Sequence, residues 1–191
     1  MKKKQESKKR LIIVHGWEGR PEEGWFPWLT AEMERRGWSV QVPAMPNAVQ
    51  PEQSRWVPYL SKIIGRVDGN TYIVGHSLGC IATLRFLEGL ANNEKIGGAI
   101  LVAGFDNPLK YKELKNFFRD PILWDKIKTK CKSFISIQSN DDPYVPVENG
   151  IRFKTNLGAK VITLSGLRHF SGRNGVTIVP PILEELLKTA K

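Results

Sequence analysis

Six short apolar runs of five to seven residues recur along the chain, with longer amphipathic stretches between them: LIIVHGW (11–17), SVQVPA (39–44), TYIVGHS (71–77), GAILVAG (98–104), SFISIQ (133–138) and KVITL (160–164). Several are apolar at successive positions instead of alternating, the pattern of strands covered on both faces. Such runs separated by helical patterns predict a parallel sheet with crossover helices. The helix ends are legible too. Pro27 opens a helix over 27–36 that Gly37 ends, Pro51 and Glu52 introduce a second over 51–66, and a third follows Ser77 directly. A further helix is expected over 147–156. The last begins at Pro180 and Pro181 and carries Ile182, Leu183, Leu186, Leu187 and Ala190 on one face. The stretch 105–130 is too long for a simple strand-to-helix connection and has helical pieces of its own at 111–118 and 121–130, so it is expected to form a small cap.

Composition narrows the picture. The 191 residues, 41% of them hydrophobic, suit a single domain over 11–191. The net charge of +10 first suggests a nucleic-acid or membrane-surface partner, but its distribution argues otherwise. Six basic groups against Glu6 give +5 in MKKKQESKKR (1–10), which is expected to be a disordered tail. Eight basic and four acidic residues give +4 over 106–132, and the rest of the chain carries +1. No basic stripe interleaved with aromatics runs along the core, so nucleic acid is not an expected partner. The cap residues Lys110, Lys112, Lys115, Arg119, Lys126, Lys128 and Lys130 form either a solvated face or a field that draws anionic substrates.

Two cysteines, Cys80 and Cys131, cannot build a disulfide framework or a cysteine zinc site, and are expected to be free thiols. The apolar run after the basic start stops at His15 and Gly16, too short for a signal sequence, and no stretch is long enough to span a bilayer. A cytoplasmic protein without stable membrane association is expected.

The chemistry concentrates at 71–90, where a strand runs into Gly75-His76-Ser77-Leu78-Gly79 and a helix follows at once. G-x-S-x-G in that setting is a nucleophile elbow: the serine sits on a strained turn, and glycines two positions to either side avoid clashes. A serine hydroxyl needs a base, itself oriented by an acid, and with this elbow the chain order is Ser, acid, His. His169 in GLRHF is the one histidine after Ser77, just past the sixth strand. His76 points away from Ser77 along the strand, and it and His15 are read as structural. Asp141 and Asp142 both follow the fifth strand as candidates for the acid. The DPYVP that starts at Asp142 matches the D-x-x-V-P turn that carries the acid in such sheets, which favours Asp142 and leaves Asp141 to local backbone hydrogen bonds. The amides of Leu78 and Trp17 are the candidate oxyanion donors, Gly16 allowing close approach. Trp25, Trp28 and Trp124 fall near the first loop or in the cap and could line an acyl pocket.

The order HGWEG, GHSLG, SNDDPYVP and LRHF across nearly the whole chain resembles the small α/β-hydrolases of the retinoblastoma-binding-protein-nine type, with their bacterial YdeN-like branch. HGWEG departs from the more glycine-rich loop of some relatives. The resemblance implies a reduced α/β-hydrolase fold, six parallel strands in order 2-1-3-4-5-6 with helices on both faces, and a Ser77, Asp142, His169 triad. The expected activity is hydrolysis of small carboxylic esters through an acyl-serine, with no metal and no cofactor. Amidase, aminopeptidase or thioesterase activity would use the same residues. A binding module that kept the fold without catalysis is the alternative of another class. The oligomeric state is not legible.

Overall fold

The computed structural model describes residues 8–191. Six strands, β1 (Arg10–Val14), β2 (Ser39–Gln41), β3 (Thr71–His76), β4 (Gly98–Val102), β5 (Phe134–Ser139) and β6 (Lys160–Leu164), form one all-parallel sheet in the order β2-β1-β3-β4-β5-β6. The alternation of side chains explains the continuous apolar runs. Ile12, Val14, Ile73, Ala99 and Leu101 face one core layer, while Leu11, Ile13, Val74, Ile100 and Val102 face the other. The first layer is closed by α2 (Gln53–Ile64), α3 (Leu78–Glu88), α4 (Trp124–Thr129) and α5 (Asn149–Leu157). The second is closed by α1 (Phe26–Glu34) and α6 (Pro180–Thr189).

Departures from the sequence reading have local causes. Most of the basic 1–10 segment lies outside the described residues, but Arg10 is no tail residue. It opens β1, pairs with Ser39 and Thr71, and its guanidinium donates to the carbonyls of Ile64 and Arg66. Lys9 Nζ donates to the Ala190 carbonyl at 2.6 Å and stands over the Trp38 ring. β2 stops at Gln41 because its pairing with β1 ends there and Pro43 has no N–H to continue a ladder. α5 runs to Leu157 and is ended by Gly158 at φ +68°.

Half of the 105–130 segment is a short 3₁₀ helix, Lys112–Phe118, and α4. Its anchor is Arg85 of α3, whose side chain is only 4% exposed. The guanidinium pairs with Glu88 at 2.9 Å and donates to the carbonyls of Phe117, Asp120 and Pro121, and Glu88 accepts from the Leu123 amide at 2.8 Å. An arginine fork thus satisfies a run of carbonyls that no helix or strand would pair. Lys130, expected on the solvated face, is buried and donates to the Ala91 carbonyl. Both cysteines are free and buried, their thiols pushed up by desolvation, Cys131 to about 12. No helix of the described residues is long and apolar enough to cross a membrane.

Candidate active site

Ser77 lies between β3 and α3 at φ +53°, ψ −120°, a conformation that costs a non-glycine residue of order 1–3 kcal/mol and needs enforcement by its surroundings. The flanking glycines permit it by what they lack. A Cβ on Gly79 would stand 2.1 Å from the Val14 carbonyl oxygen, and one on Gly75 would stand 2.8 Å from the backbone of Gly79 and Cys80. The turn packs so closely on β1 and on the first turn of α3 that no side chain fits at either place. Ser77 itself donates its amide to the Val102 carbonyl at 2.8 Å, which fixes the elbow to β4.

His169 reaches this point from the loop after β6. Its Nε2 is 2.9 Å from Ser77 Oγ, and its Nδ1 is 2.8 Å from Asp142 Oδ2. Asp142 has no exposed side-chain surface, and its other oxygen accepts the amides of Tyr144 and Val145, so the carboxylate is fixed in its own turn while it faces the imidazole. A carboxylate can only accept, so His169 carries its proton on Nδ1 and turns a lone pair toward the serine hydroxyl. The hydrogen-bonded order is Ser77, His169, Asp142.

Asp141 points elsewhere. Its Oδ1 accepts from Ser139 Oγ at 2.5 Å and from the amides of Gly166 and Arg168 at 3.1 Å each. The Ser139 hydroxyl, with the two amides, holds its carboxyl below the usual carboxylate range. Its bonds therefore include ones to the loop that carries His169, 25 and 27 residues away, and not only to its own turn.

The loop after β1 closes the other side. Gly16 is so near Ser77 that a Cβ there would stand 2.9 Å from that of the serine. Neither the Trp17 nor the Leu78 amide has a hydrogen-bond partner among the described residues. His15 secures this loop: its Nδ1–H donates to the Gly16 carbonyl at 2.8 Å and its Nε2 accepts the Met45 amide at 3.0 Å. That pair of bonds requires the neutral ring, and burial lowers its pKa accordingly. The Trp17 indole donates to the Val49 carbonyl and meets Tyr111 edge-on, 5.6 Å between centroids.

A cavity of about 320 Å³ opens over Ser77, with Trp17, Phe105, Leu109, Tyr111 and Leu114 among its apolar walls. Trp25 also lines it, fully buried, its indole donating to the Phe170 carbonyl. Trp28 and Trp124 do not. Trp28 packs into the α1 and α6 layer, and Trp124 lies against Phe153 with centroids 6.4 Å apart. Tyr144, which the sequence reading did not single out, stands edge-on to His169 at 5.2 Å; its place two residues after Asp142 in the same turn was the available signal. The acidic and basic side chains of Asp, Glu, Lys or Arg on the lining are Glu18, Glu23 and Arg173, with Arg173 3.6 Å from Glu18; Lys110 to Lys130 contribute none.

A family model described as serine hydrolase matches residues 11–188. YdeN of Bacillus subtilis (strain 168) is 34% identical over 179 residues, covering 93% of this chain and 94% of that protein. The serine hydrolase RBBP9 of Rattus norvegicus is 28% identical over 166 residues, 84% of this chain and 87% of the relative. The crystal structure of the B. subtilis ydeN gene product superposes with a TM-score of 0.91 at 33% identity, over 95% of this chain and 98% of the other. Est1E of Butyrivibrio proteoclasticus shares the fold, with a TM-score of 0.72 at 17% identity over 95% and 88% of the two chains.

Proposed function

The chain belongs to the serine hydrolase family, and we propose that within it this protein hydrolyses small carboxylic esters through an acyl-serine intermediate. The observation that carries the reading is the hydrogen-bonded run from Ser77 Oγ through His169 to the buried Asp142 carboxylate. As Ser77 Oγ attacks the ester carbonyl, its proton moves to His169 Nε2, and Asp142 stabilises the imidazolium. The carbonyl oxygen becomes an oxyanion, met by the unpartnered amides of Leu78 and Trp17. Collapse expels the alcohol, which takes the proton from His169. Water then gives a proton to the same nitrogen, attacks the acyl-serine and releases the acid with Ser77 restored. A mostly apolar wall and a mouth whose ionic groups include a paired Glu18 and Arg173 favour a neutral, apolar acyl or aryl group over an anion. The exposed cations of 105–130 then read as a solvated face.

A panel of short p-nitrophenyl esters tests this with wild type and Ser77→Ala. The variant is expected to lose on the order of 10⁴ or more in kcat. Equal turnover by the two proteins would overturn the reading.

A further inference from the structure

His169 stands on a loop whose own turn bond, from the Phe170 amide to the Leu167 carbonyl at 2.8 Å, is joined by contacts from outside it. Its neighbours Arg168 and Phe170 are both non-glycine residues at positive φ, +46° and +53°. Two departures of this kind, one on each side of a single residue, persist where surrounding contacts over-determine them. Those contacts are specific. Asp141, at the end of β5, accepts the amides of Gly166 and Arg168. His76, the last residue of β3, lies 2.8 Å through Nε2 from the carbonyl oxygen of His169. Trp25 donates to the next carbonyl, that of Phe170. Two loop N–H groups and two successive loop carbonyls are thus met by three side chains from outside the loop, Asp141 taking both N–H groups.

His76 has the most telling position because it adjoins Ser77. A carbonyl can only accept, so the His76 ring must carry its proton on Nε2. The ring is buried, 5.1 Å from that of His169 and edge-on to both Trp25 and Phe26, which leaves it little rotational freedom. Desolvation, with the neighbouring His169 adding to it, lowers its pKa to about 3, so it stays a neutral donor. One strand end therefore presents the nucleophile on one residue and grips the backbone of the facing histidine with the residue before it.

We propose that His76 and Asp141 are positioning residues that set the 2.9 Å contact between Ser77 and His169, His76 by donating to the His169 carbonyl and Asp141 by accepting the amides of Gly166 and Arg168. The inference rests on the reading of His169 as the base for Ser77. It goes beyond it by giving a chemical duty to the variable residue of G-x-S-x-G and to the first aspartate of the pair.

Paired substitutions test it. His76→Phe keeps a ring in the same space without an N–H, whereas His76→Gln places an N–H near the position of Nε2. Asp141→Ala removes the acceptor and Asp141→Asn keeps one. With a p-nitrophenyl ester, His76→Phe and Asp141→Ala are expected to lose about 10- to 100-fold in kcat, with KM within about twofold of wild type, because misplacement of the base weakens the chemical step and not substrate binding. His76→Gln and Asp141→Asn are expected to recover to within about threefold of wild type. Unchanged kcat in the deletion variants, or conservative variants no better than the deletions, would overturn the proposal, as would a loss confined to KM. Should His76→Phe not fold, the exposed Asp141 pair decides alone. Failure of the underlying reading is separately visible, since Ser77→Ala would then turn over like wild type.

Discussion

The turn at 75–79 and the segment at 105–130 lean on opposite ends of the same helix, α3, and are held by opposite means. At the start of α3 the backbone is forced into shape by exclusion. Gly75 and Gly79 are pressed against neighbouring backbone, which admits the positive φ of Ser77 and leaves no room for a side chain at either glycine. At its far end the chain is held by attraction, one buried guanidinium gathering the carbonyls of Phe117, Asp120 and Pro121. A turn set by sterics is written in consecutive residues. A clamp set by one long side chain joins residues 32 to 36 positions apart and leaves little trace in either stretch.

Gly79 is the tighter of the two elbow glycines. A methyl group there meets the Val14 carbonyl oxygen at 2.1 Å, so Gly79→Ala is expected to cost about 3 kcal/mol or more in urea unfolding, and reactivity at Ser77 should fall with it. Wild-type stability in this variant would contradict the steric account of the elbow. Arg85→Met comes next. It leaves Glu88 without its partner and three carbonyls without donors, an expected loss of about 3 kcal/mol. Folded Arg85→Met protein should keep kcat within about threefold. If kcat falls as far as stability does, the 105–130 segment takes part in the chemistry and does not merely support it.

A smaller effect separates buried histidine from exposed charge. The folded His76 pKa of about 3 lies below the ordinary 6.5, so below pH 6.5 the unfolded chain takes up a proton that the folded chain refuses. This contribution to stability is fully present above pH 6.5 and declines as the pH falls toward 3, at up to about 1.4 kcal/mol per pH unit. His15, lowered by burial, acts in the same direction. Unfolding midpoints followed from pH 7 to pH 4.5 should drop less steeply for His76→Gln than for wild type, and identical slopes would show that burial of His76 is not their source.

Much of the site was legible because chain order and local turn chemistry specify it. GHSLG after a strand, an aspartate at the end of the fifth run and one histidine after the sixth are short-range patterns, and the parallel sheet brings those strand ends to one edge. What escaped was tertiary. Arg85 is the one charged residue of α3 before Glu88, and nothing nearby in the chain announces the carbonyls it meets. Asp141 was assigned local hydrogen bonds, but its partners include amides 25 and 27 residues away. Trp28 and Trp124 are candidates for the pocket by proximity in sequence, but Trp28 packs into the α1 and α6 layer and Trp124 against Phe153, away from the lining. His76 is expected to point away from Ser77 and to be structural, but it lines the cavity and the loop bearing His169 comes down onto it.

The central claim is that Ser77 is an activated nucleophile. Labelling of the folded protein with a fluorophosphonate probe, followed by peptide mapping, tests it most directly. One adduct is expected, on Ser77, absent from Ser77→Ala and strongly slowed in His169→Ala. No adduct on folded wild-type protein, or an adduct on a different serine, would contradict it.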